Sequence, residues 1–143
     1  MGHLYHLEKE EDKLKALIEA IRVCKRDGII VCSFITNDMV ILTELAFDID
    51  FFKRDSYNKD TFKLNDFPFV FHTVDDAKEL MRKVDLDILN IVAQDGASEF
   101  MADRINQLDD EDYMIYLDYH FYICEKPEML GMTNHLMFIC RKK

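Results

Sequence analysis

Five histidines and four cysteines carry the widest chemical range in this chain. His3 and His6 stand three apart on either side of Tyr5, close enough to share a helical turn. Two imidazoles on one turn are half of a zinc site, but no second pair follows at ligand spacing, so no metal is expected. His72 falls at a junction between Phe71 and Thr73, a place for either a structural or a catalytic imidazole. His120 follows Tyr119 in an aromatic stretch, where it either lines a pocket or sits satisfied in the core. Cys124 lies four residues beyond His120, on the same helix face, where the two would serve as thiol and imidazole of an independent hydrolase. Against that, Cys24, Cys32, Cys124 and Cys140 all sit in apolar stretches with no CxxC spacing, as reduced, inert core thiols do. Gly2, Gly28, Gly96 and Gly131 are too scattered for a phosphate-cradling loop, and no serine nucleophile elbow is present.

These groups need elements to position them. Residues 8–27 read as an amphipathic helix, with Leu14, Leu17, Ile18, Ile21 and Cys24 on one stripe and Gly28 as its C-cap. Residues 29–35 (IIVCSFI) form a short apolar run that fits a strand covered on both faces. Residues 36–50 begin helical, residues 51–66 are polar and irregular, and Pro68 excludes a helix interior from the next stretch. Thr73 with Asp76 three residues on reads as a capping box, opening a helix with Ala77, Leu80, Met81 and Val84 inward. Residues 86–93 are a second strand, residues 98–108 a short helix, and residues 135–140 a last strand. Between the last two lies a helix from the acid run 109–112 to about residue 125, bearing Tyr113, Tyr116, Tyr119 and Tyr122. It is apolar nearly all round, so it is expected to be buried, or to cover a pocket or a partner.

The order of elements gives an α/β class with a mainly parallel sheet. A chain of 143 residues with 49% hydrophobic residues is the size of one domain with a real core. Asp and Glu total 28 against 18 Lys and Arg, a net charge of -10 that repels nucleic acid and anionic membranes. No run approaches the roughly 20 apolar residues of a membrane-spanning helix, and the N-terminus carries no export pattern, so a cytoplasmic location is expected.

Several segments, taken in order, resemble the second half of class I S-adenosylmethionine-dependent methyltransferases. They are residues 4–7 (LYHL), 11–14 (EDKL), 19–23 (EAIRV) and 25–30 (KRDGII). Further segments are similar to a bacterial small-molecule subgroup: residues 71–73 (FHT), 92–96 (VAQDG), 119–120 (YH), 124–125 (CE), 134–136 (NHL) and 141–142 (RK). The resemblance covers essentially all of residues 1–143 as one domain. It implies the C-terminal part of a Rossmann-like fold, with residues 36–71 as an insertion. The sheet it implies has three strands, the last antiparallel and between the other two, with flanking helices and the Tyr-rich helix as a cover.

The resemblance also implies site residues. Gly2, His3 and Leu4 match the turn that borders the transferable methyl group, and Tyr5 points into that pocket or into the core. Phe34, Tyr116 and Tyr119 would line the acceptor, and His6 or His120 would be the base. S-adenosylmethionine is the family's cofactor. The glycine-rich loop and ribose-binding acid that hold it have no counterpart in these residues, so a truncated, inactive, acceptor-side chain is expected to bind none alone. The alternative is a non-catalytic domain of that fold, binding a small ligand or a protein through the Tyr-rich helix. A homodimer is expected through the 29–35 edge or the 8–27 helix, because an apolar strand edge invites another chain.

Overall fold

The computed structural model describes residues 2–66 and 68–143. The chain opens with a 3-10 turn at Leu4–His6, then α1 (Glu10–Val23), β1 (Ile29–Thr36) and α2 (Asn37–Phe47). After the irregular segment come β2 (Phe71–His72), α3 (Val74–Arg82) and β3 (Leu86–Ala93). The one-turn α4 (Ala102–Ile105), α5 (Asp110–Ile123) and β4 (His135–Lys142) complete it. Among the described residues no helix is long and apolar enough to cross a membrane.

The class is mixed α/β, and the sheet has four strands in the order β2-β1-β4-β3. β4 lies between β1 and β3 and runs antiparallel to both. The expected three-stranded sheet is corrected by β2, which pairs parallel to β1 at Ile35–Phe71 and Thr36–His72. Two residues suffice because other groups hold that segment. Asp66 accepts from the Phe71 N–H at 3.1 Å, Lys63 donates to the Phe71 carbonyl, and the Val70 N–H donates to the Tyr5 carbonyl at 2.8 Å. Thus one end of the 29–35 edge is occupied within the chain.

Strand parity sorts the core. Ile30, Cys32 and Phe34 face the same side as Leu136, Phe138 and Cys140, and all six are buried. Leu17 of α1 and Ala77, Leu80 and Met81 of α3 close over them in one cluster. The opposite side of β1 is less enclosed than expected: Val31 and Ser33 are only half-buried. α3 is fixed by the capping box, with the Asp76 N–H donating to Thr73 Oγ1 and the Thr73 N–H donating to Asp76 Oδ2, each at 3.1 Å. Such a cap contributes about 1 kcal/mol. The register shifts between Ile88 and Asn90 on β3, and Leu89 stands 44% exposed there.

The segment after α2 builds a satellite cluster of Ile41, Phe51, Tyr57 and Leu64. Asn37 ties it to α2: its side chain accepts from the Leu64 N–H at 2.8 Å and donates to the Phe62 carbonyl at 3.0 Å. The helix expected over 98–108 shrinks to Ala102–Ile105, flanked by turns. The largest departure is α5, which buries no residue. Tyr113, Met114, Ile115, Tyr119, Phe121 and Tyr122 are all exposed on it. The cysteines are free thiols; Cys32, Cys124 and Cys140 are buried, and Cys24 is half-buried. Burial pushes the Cys32 thiol up to about 11 and Cys140 to about 12, which keeps them protonated and inert.

Candidate functional site

A cavity of about 570 Å³ opens at the carboxyl end of β1, beside the entry to β2 and where β4 begins. Open α/β sheets place ligand crevices at such strand ends. Its walls are apolar and aromatic: Tyr5 and His6 from the first turn, Ile35 from β1, Val40 from α2, then Phe69 and Phe71. Its polar lining is Thr43, Glu44, Glu99, Asn134 and His135. The rings contact one another. Tyr5 meets Phe69 edge-on at 5.9 Å and His135 at 6.1 Å, while His6 lies 5.1 Å from Phe69.

His135 is held from two directions by one carboxylate. Its ring Nδ1 lies 2.6 Å from Asp95 Oδ2, and its backbone N–H donates to the same oxygen at 2.8 Å. A carboxylate only accepts, so Nδ1 carries a proton, and in the neutral ring the lone pair is on Nε2. The hydrogen bond to Asp95 raises the His135 pKa; partial burial opposes this, and the charges of Asp95 and Glu99 add to it. Asp95 is itself anchored. Thr133, fully buried, accepts from the Asp95 N–H at 3.0 Å and the Gly96 N–H at 3.1 Å, and donates to the His135 carbonyl at 2.9 Å. Gly96 sits at φ +55°, a left-handed position that suits glycine, and a Cβ there would press on the His120 ring.

The residues singled out from sequence distribute as follows. Tyr5 and His6 line the cavity. Phe34 does not; it is fully buried on the core side, edge-on to Phe138 at 5.4 Å and His72 at 5.1 Å. Tyr116 and His120 brace the loop that carries Asp95. The Tyr116 hydroxyl lies 2.6 Å from Ser98 Oγ, which bonds the Asp95 carbonyl, and His120 Nε2 donates to the Gln94 carbonyl at 3.1 Å. Tyr119 is 57% exposed, away from the cavity lining. His3 is exposed and Leu4 is fully buried in the core. His72 is buried beside Lys13 and Lys63 rather than at the cavity. Asp95–His135 escaped the sequence reading because the two are 40 residues apart. Only the β3–β4 register brings them together, and Asp95 before Gly96 otherwise reads as a plain turn.

The residues present do not fit a whole S-adenosylmethionine. Its methionine end needs open backbone and its ribose a carboxylate beyond a strand. At Gly2 the space for a Cβ is filled by the Tyr5 phenol, and Leu4 offers no surface. The carboxylate after β3, Asp95, is committed to His135. Among the described residues no cluster of His, Cys, Asp or Glu is placed to hold a metal ion. No family model matches this chain, and no curated protein matches its sequence.

Proposed function

We propose that this chain is the acceptor-side part of a class I methyltransferase fold of the bacterial small-molecule kind. Alone, it binds a small acceptor-like molecule in the Tyr5–His135 cavity and transfers no methyl group. One observation carries the proposal. Tyr5 and His6, from the turn that resembles the family's methyl-bordering turn, line a ligand-sized cavity at the carboxyl end of β1. A second reading, a non-catalytic binding domain working through α5, is favoured by the aromatic and aliphatic side chains exposed there.

Calorimetric titrations separate these readings. S-adenosylmethionine should give no micromolar binding, and 4-nitrophenol should bind. Tyr5→Ala should weaken 4-nitrophenol several-fold, and Tyr119→Ala should leave it unchanged. Micromolar S-adenosylmethionine binding would defeat the claim that the isolated chain is inactive. Binding that survives Tyr5→Ala and fails in Tyr119→Ala would move the site to α5.

We also propose that the chain forms a homodimer through α1 and the start of β1. Ile18, Val23 and Ile29 are all more than half exposed there, and Val23 and Ile29 line an apolar depression of about 310 Å³. Exposed apolar patches of this kind mark association surfaces. Light scattering at micromolar concentration should give twice the 17.0 kDa chain mass. A single-chain mass rules the dimer out.

A further inference from the structure

His135 is the polar group in the cavity whose orientation is most fully determined. His6, the other imidazole of the lining, makes ring contacts with Tyr5 and Phe69 but, among the described residues, no side-chain hydrogen bond that would fix its tautomer. Glu99 is occupied by the Asn134 amide, and Glu44 is exposed. His135 has its Nδ1–H committed to Asp95, and the loop that holds Asp95 is tied down by Thr133, Ser98, Tyr116 and His120. An oriented imidazole with an acceptor lone pair and a carboxylate behind it is the arrangement of a general base.

We propose that His135, positioned by Asp95, takes a proton from the ligand of this cavity, and that the ligand is a small planar molecule with an acidic O–H or N–H. The inference rests on the cavity being the ligand site. The bond to the ligand's acidic hydrogen breaks, an N–H forms at His135 Nε2, and the electron pair stays on the ligand as an anion. Asp95 stabilises the imidazolium so formed. The planar body is set by the walls: Tyr5, Phe69 and Phe71 offer ring faces and edges, and Ile35 and Val40 offer apolar contact. The neutral entering form is set by charge. Glu44 and Glu99 line the cavity and Asp95 lies behind His135, and in a chain of net charge -10 these carboxylates oppose entry of a ready-made anion. Among the described residues, the other titratable side chains of the lining are Tyr5, whose ring meets His135, and His6. Ionisation therefore occurs inside, against the imidazolium.

The probe is 4-nitrophenol, whose anion absorbs in the visible and whose acid form does not. At a pH where the free phenol is mostly protonated, binding to the wild-type chain should raise the ionised fraction several-fold. His135→Gln and Asp95→Asn should still bind it and lose that rise. 4-Nitroanisole, with the same body and no acidic hydrogen, should bind the wild type several-fold more weakly, a comparison that needs no variant. Phenol bound but fully protonated, or equally ionised in both variants, overturns the dyad and leaves the cavity reading standing. Anisole bound as tightly as phenol does the same. Absence of 4-nitrophenol binding at millimolar concentration overturns both.

Discussion

Lowering the pH from neutral to about 4 should cost this fold about 3 kcal/mol through His72 alone. The ring is buried at the end of β2, against Phe34, and its Nδ1 has no hydrogen-bond partner among the described residues. Burial is the main reason its pKa falls from 6.5 to about 4; the charges of Lys13 and Lys63 push the same way, and Asp76 and Asp66 push back. The direction follows from proton counting. The unfolded chain takes up a proton at His72 as the pH drops past 6.5, while the folded chain stays neutral there until about 4. Between those values the unfolded state binds more protons, so acid favours it, and below about 4 the loss is complete. Carboxylates titrate over the lower part of this range, so the comparison that isolates His72 is with His72→Leu, which keeps apolar contact and cannot ionise. Urea unfolding of both proteins across the range should show stability curves that converge with the variant at high pH and separate as the pH falls, after allowing for a constant offset. Curves that stay parallel would falsify the burial argument.

His72 also shows what is legible in a sequence and what is not. The capping box at Thr73 and Asp76 is local, two side chains three residues apart, and it forms as the sequence specifies. The apolar runs at 29–35, 86–93 and 135–140 become β1, β3 and β4 because their length and composition suit little else. Strand parity even held the answer for Phe34. It shares a face with Ile30 and Cys32, the face that α1 and α3 cover, so it is core and not cavity. β2 was not legible, because two residues carry no periodicity and their pairing with β1 depends on Lys63, Asp66 and the distant Tyr5 carbonyl. Nor was the exposure of α5. Apolar content around a helix says what the helix could bury, and not whether this chain supplies something to bury it against. Asp95–His135 is a product of register alone. Yet its bracing by Tyr116 and His120 gives the Tyr-rich helix a role in the site, as a support for the Asp95 loop more than as a cover.

Phe138→Ala should destabilise the chain by about 3–5 kcal/mol, a large share of the roughly 5–15 kcal/mol that holds a domain folded. Phe138 is fully buried in the middle of β4, the strand both neighbours depend on. It stands opposite Cys32 on β1 and Ile91 on β3, and its ring meets Phe34 edge-on at 5.4 Å. Removing it loses the transfer energy of a ring and leaves a hole bounded by strand backbones that are fixed by ladders on both sides. Those ladders resist the inward collapse that could shrink the hole, which puts the cost in the upper part of the range. The contrast is Ile115→Ala on α5. That side chain is 61% exposed, so its loss should cost no more than about 0.5 kcal/mol. Urea midpoints at unchanged slope measure both. A Phe138→Ala cost near that of Ile115→Ala would mean the core is not where β1, β4 and the α1–α3 layer place it. A cost above about 2 kcal/mol for Ile115→Ala would mean that α5 is covered in solution, and the exposed aromatic helix would then be an interface and not a free surface.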